Sequence, residues 1–134
     1  MLQNWTDNAI ALVRIIVGGF MMYHGAEIFS QEKMDGYDKF LTNDIKMSNA
    51  VFMSYLGKAI ELIAGTLLVT GLFTRAGAVL MAGAMSFITF RIGEGRIHME
   101  EQHPFMFVLF AIIFFFDGGK KWSLDQLIFR KKNQ

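Results

Sequence analysis

Four apolar runs, at residues 8–29, 50–73, 76–95 and 102–117, alternate with polar stretches, and each holds ionisable groups inside it or at its edge. At about 1.5 Å of rise per residue, the first three reach about 30 Å or more as helices, the thickness of a bilayer's hydrocarbon core. The uninterrupted part of the fourth, 104–116, gives only about 20 Å, so it needs a further turn from residues 102–103 or Asp117. In the polar stretch 30–49, Met34, Tyr37, Leu41 and Ile45 recur at three- to four-residue steps. That spacing predicts a short amphipathic helix lying in the membrane interface.

Turn chemistry divides the runs. Gly71 suits a helix C-cap and Thr74 an N-cap, which predicts a tight hairpin between the second and third helices. Gly93-Glu-Gly-Arg96 interrupts the third run, Pro104 suits the first turn of the fourth, and Asp117-Gly118-Gly119 ends it. The expected fold is all-α: an integral membrane antiparallel four-helix bundle with a short interfacial helix between helices one and two. Residues 1–134 form a single domain, with a basic tail at 118–134. Small residues at Gly18, Gly19, Gly25, Gly57, Ala64, Gly65, Gly77, Ala78, Ala82, Gly83 and Ala84 allow close helix approach where lipid supplies no hydrophobic drive.

Composition narrows the classes of function. The chain contains no cysteine, which excludes disulfide and thiol redox chemistry of its own. A net charge of +1 and the lack of a basic, aromatic-laced cluster point away from nucleic acid. The first run is preceded by no Lys or Arg and is long for a signal peptide, so it reads as a retained anchor. Lys120, Lys121, Arg130, Lys131 and Lys132 in the tail, with Arg75, set against Lys33, Lys39, Lys46 and Arg96, place both termini in the cytoplasm. Trp5 and Trp122 read as interface anchors on that side, and the ten Met as packing residues.

The candidate chemistry lies in the intramembrane charges, which are costly unless they pair or face a polar cavity. Estimated depths predict a structural ion pair between Arg14 and Glu61. His24 and Glu27, Lys58 and Glu61, and Arg91 and Glu94 each stand three residues apart and so share helix faces. These pairs predict an outer cavity lined by His24, Glu27, Lys58, Glu61 and Arg91, with His98 and His103 in the following loop. Arg14, His24, Glu27, Lys58, Glu61 and Arg91 are thus the candidate ligand-binding or proton-relay residues. Imidazole and carboxylate there could exchange protons with a bound redox molecule. The bland alternative has the Arg14–Glu61 pair only locking helices one and two, Lys58 and Arg91 snorkelling to the interface, and Glu94 already solvated. The order His24-x-x-Glu27 and the competing cations argue against a metal. Phe87, Phe90 and the Phe-rich stretch from Phe105 could flank a quinone ring, though membrane Phe more often packs or meets lipid.

Three segments carry a family resemblance: LVRIIVGGFMMYHG from Leu12, YLGKAIELIAGTLLVTGLFTRAGA from Tyr55, and DGGKKWSLD from Asp117. Together they resemble the DoxX family of small four-helix membrane proteins, with Arg14, Glu61 and Arg75 at family positions. The sequence departs from the pattern at Ile28, where the family often has Lys. The resemblance implies a bacterial inner-membrane, multi-pass subunit associated with redox chemistry. It is similar to membrane subunits of thiosulfate:quinone oxidoreductase and to partners of redox or detoxifying proteins. No covalent cofactor is implied, quinone is the expected ligand, and a membrane or redox protein, or a second copy, is the expected partner. A non-catalytic assembly subunit and a small carrier or channel are the alternative classes.

Overall fold

The computed structural model describes residues 1–96 and 102–130, and within them every regular element is helical. Helix α1 spans Leu2–Gly25, α2 Gln31–Asn43, α3 Ala50–Thr70, α4 Thr74–Phe87, α5 Gln102–Asp117 and α6 Leu124–Arg130. A 3-10 turn, Ala26–Phe29, follows α1, and a π turn, Ile88–Ile92, extends α4. Among the described residues, three helical stretches are long and apolar enough to cross a membrane: Leu2–Phe29, Ala50–Thr70 and Thr74–Ile92. Helix α5 is apolar but shorter.

The polarity of the packing fits a hydrocarbon solvent. Along α1 the buried stripe is Ala11, Arg14, Val17, Gly18, Met21 and Gly25, while Leu12, Ile16, Phe20 and Tyr23 are exposed. Small residues and Arg14 thus share the inward stripe with Val17 and Met21, while many large apolar groups face outward, the pattern expected where lipid surrounds the helices. The same holds for exposed Ile63, Phe90, Ile112, Ile113 and Phe116.

Helix α1 packs chiefly on α3, α3 on α4, and α4 on α5. The α1–α3 contact is close because glycines remove side chains from it. A Cβ at Gly65 would stand 2.4 Å from the Met22 nitrogen, and one at Gly25 would stand 2.3 Å from that of Leu62. Val17, Met21, Leu68, Met81, Met85 and Phe114 fill the centre between these helices. The polar stretch after α1 forms α2, which buries Met34 and Leu41 and packs against α3.

The α3–α4 hairpin turns on two left-handed residues, Gly71 at φ 67° and Phe73 at φ 48°. Thr74 does not cap α4 through its own hydroxyl. Asp125 supplies the cap from the far end of the chain, accepting from the N–H groups of Phe73 (2.7 Å) and Thr74 (2.8 Å).

Candidate functional site

Two polar assemblies lie along α3, one at its C-terminal end and one near its middle. The one near its C-terminus is a clasp that ties the tail to the helices. Arg14, with no exposed surface, donates from Nε to the Leu68 carbonyl (3.0 Å), from Nη1 to that of Lys121 (3.1 Å) and from Nη2 to that of Trp122 (2.7 Å). The Asp125 N–H returns a bond to the Gly71 carbonyl (3.0 Å), and Ser123 Oγ donates to the Gly119 carbonyl. Close approach explains Gly71, where a Cβ would lie 2.3 Å from that of Ser123. Gly118 and Gly119 adopt φ of 65° and 70°, and a Cβ at Gly118 would press on the Arg75 guanidinium at 2.9 Å. The segments DGGKKWSLD and GLFTR thus meet in one place, with Arg14 beneath them.

This geometry corrects the expected Arg14–Glu61 ion pair. Arg14 reaches the level of Leu68, seven residues along α3 from Glu61, about 10 Å at the helical rise. The depth estimate set the outer ends of the two segments, Phe29 and Ala50, level with each other, whereas Gly25 packs against Leu62 and so carries Arg14 past Glu61 toward the C-terminal end of α3. Backbone carbonyls satisfy the guanidinium instead of a carboxylate.

The second assembly lies where α1, α2 and α3 meet. Glu27 Oε1 pairs with Lys33 Nζ (2.9 Å), and its Oε2 accepts from Tyr37 Oη (2.6 Å) and Lys58 Nζ (3.0 Å). Lys58 Nζ also meets Glu61 Oε2 (2.9 Å) and stands 4.5 Å from the centre of the Tyr37 ring. Two carboxylates and two ammonium groups balance, which makes burial of Lys58 and Glu61 tolerable in a low-dielectric setting. Burial, and then the hydrogen bond to Glu27, hold the Tyr37 phenol above its ordinary pKa. The same carboxylate raises the pKa of Lys33.

This network forms the polar end of a cleft of about 410 Å³ between α2, α3 and α4. Tyr37, Ser54, Lys58 and Glu61 line one part, and Phe40, Ile60, Phe87 and Ile92 line the rest. Gly57 and Gly83 also line it, and a Cβ at either would meet no atom of the described residues within 4 Å. Unlike Gly25 and Gly65, these helix-interior glycines have no packing contact to explain them. What they leave is open space in the cleft.

Of the outer-cavity residues expected from sequence, Glu27, Lys58 and Glu61 come together, whereas His24 and Arg91 do not. His24 is exposed and lies edge-on to the Tyr23 ring at 5.7 Å. Gly25 is turned into α3, which leaves its neighbour His24 on the outer face, and the 3-10 turn then swings Glu27 inward. Arg91 and Glu94 are exposed, while Ile88 and Ile92 face the cleft from the same turn. His103 is exposed at the start of α5; His98, Lys131 and Lys132 lie outside the described residues. Among the described residues, no three His, Asp or Glu side chains gather as a metal site would require.

Sequence reasoning missed Lys33, Tyr37, Gly57 and Gly83 as site residues. Tyr37 carried a signal, since it was the one polar-tipped member of the apolar stripe of α2. The glycines carried a weaker one, because their spacing does not distinguish packing from an open wall.

Fold and site together define a small helical membrane protein with a largely apolar cleft, polar at one end, and a tail clasp. The profile of the DoxX family matches residues 9–93, and the chain belongs to that family. It is similar to the Bacillus subtilis (strain 168) protein named "Putative oxidoreductase CatD", with 30% identity over 125 residues, covering 91% of this chain and 89% of that one. No solved structure matches significantly.

Proposed function

We propose that the protein is a redox-associated subunit of the bacterial inner membrane that binds a quinone in the cleft and works with an oxidoreductase partner. In this reading α1, α3, α4 and α5 cross the bilayer as an antiparallel four-helix bundle, α2 lies in the outer interface, and both termini are cytoplasmic. The name of the Bacillus relative supports the redox association. The observation that carries the ligand is the cleft itself. Its volume of about 410 Å³ falls in the range of small-molecule sites, its walls are largely apolar, and its polar groups converge at one end. A lipophilic ring with oxygen substituents matches that division.

The test is extraction of lipophilic molecules from protein purified in mild detergent. Quinone retained by the wild type supports the reading; wild-type protein free of quinone refutes it.

A second reading, a non-catalytic assembly subunit, draws on one observation: the tail segment that resembles the family sits in the clasp, where it has a structural task. Stoichiometric co-purification with a partner, unchanged by Glu61→Gln, would favour it.

A further inference from the structure

Donors and acceptors along the cleft wall are unequally occupied. Three side chains bring donors to the cleft wall, and each donor is already committed. Lys58 directs its ammonium protons to Glu27 Oε2, Glu61 Oε2 and the face of the Tyr37 ring. Tyr37 donates its hydroxyl to Glu27, and Ser54 donates to Asp38, with the Val51 carbonyl as a second acceptor. The backbone N–H groups of α3 and α4 along the cleft are held in their helices.

Acceptors are different. Glu61, which lines the cleft, uses Oε2 for Lys58, while Oε1 accepts no hydrogen bond among the described residues. A carboxylate oxygen held in a mostly apolar cavity without a donor is an incomplete arrangement. It is completed by a ligand that brings an O–H group.

Resting on the quinone reading above, we infer that the cleft is built for the reduced, hydroxyl-bearing form: a quinol, or a phenol of similar shape. A quinol hydroxyl donates to Glu61 Oε1 in a charge-assisted bond. A quinone offers carbonyl oxygens alone, which face the carboxylate lone pairs with no proton between them. Size and apolar walls treat the two forms alike, so the discrimination falls on this oxygen.

Equilibrium binding to the detergent-purified protein, under argon, tests this with decylubiquinol, decylubiquinone and the dimethyl ether of the same quinol. The quinol is expected to bind about 10- to 100-fold more tightly than the quinone, the span that one hydrogen bond to a charged group provides. The dimethyl ether, lacking both hydroxyls, should bind no better than the quinone. Glu61→Gln presents an amide that both donates and accepts, so the preference should shrink to within about threefold. A wild-type protein that binds both redox forms equally, or prefers the quinone, overturns the inference and leaves the quinone reading standing. Tight binding of the dimethyl ether also overturns the inference. Failure to bind any of the three overturns the quinone reading as well. Because the comparison of the three ligands uses the wild-type chain, it stands even where Glu61→Gln fails to fold.

Discussion

Replacing Arg14 by Met keeps much of the side chain's length and removes its charge, which isolates what the guanidinium does. Three carbonyls, those of Leu68, Lys121 and Trp122, then lose their donor at once. A hydrogen bond from a charged donor contributes roughly 1.5–3 kcal/mol, so three have a simple sum of about 4.5–9 kcal/mol. The sum overstates the loss, because the Lys121 and Trp122 carbonyls belong to a loop that can swing out and regain water. About 3–5 kcal/mol is therefore expected, as when one partner of a buried charged arrangement is removed. Reversible unfolding in detergent measures the total. Trypsin cleavage at Lys120 and Lys121 measures the local effect and should become much faster, since those residues hang from the clasp. Arg14→Lys should restore little, because an ammonium cannot span three carbonyls in a fork. A double-mutant cycle with Glu61→Gln separates this account from the ion pair that sequence alone suggested. The two changes should add to within about 0.5 kcal/mol, as expected for sites without shared partners. A coupling above about 1 kcal/mol, or an unaltered tail, would refute the reasoning.

Three further outcomes follow from the same geometry. Gly65→Ala should destabilise by about 1–3 kcal/mol or more because its Cβ meets α1 backbone, whereas Gly83→Ala should be neutral or stabilise by up to about 1 kcal/mol; thermal unfolding of both variants checks the contrast. Asp125→Ala should cost about 1–2 kcal/mol by uncapping α4, seen in the same unfolding assay, with Asp125→Asn recovering part of it. Tyr37, with its pKa raised, favours the protonated phenol in the folded state. The stability it lends is full below the ordinary phenol pKa and is lost as pH rises through the folded value. In an ultraviolet titration the tyrosinate step removed by Tyr37→Phe should be more alkaline than that of a free phenol.

Much of the helical plan was legible because it rests on local rules. Apolar run length, Gly71 at the end of α3 and the three- to four-residue rhythm of Met34, Tyr37 and Leu41 each report on a single segment. The charges were harder to read because their partners depend on helix phase and on the register between helices. Gly25 packs against Leu62, so Arg14 lies at the level of Leu68 and not of Glu61. A 3-10 turn, which no composition signal marks, parted Glu27 from His24. Asp125 was out of reach for another reason: it caps a helix some fifty residues away in sequence, and Thr74 offered a closer candidate. Lys58 and Glu61 were the easy case, since both lie on one helix at a spacing that forces them together.

If the cleft beside Glu61 holds a molecule, that molecule should leave the membrane with the protein. The most direct measurement is native mass spectrometry of the protein taken from its own membrane, comparing the wild type with Gly57→Leu and Gly83→Leu. Leucine at either position should grow into empty space, leave the fold intact and fill the cleft. A discrete small-molecule adduct is expected on the wild type and on neither variant. Wild-type protein without an adduct, or variants that carry it undiminished, would contradict it.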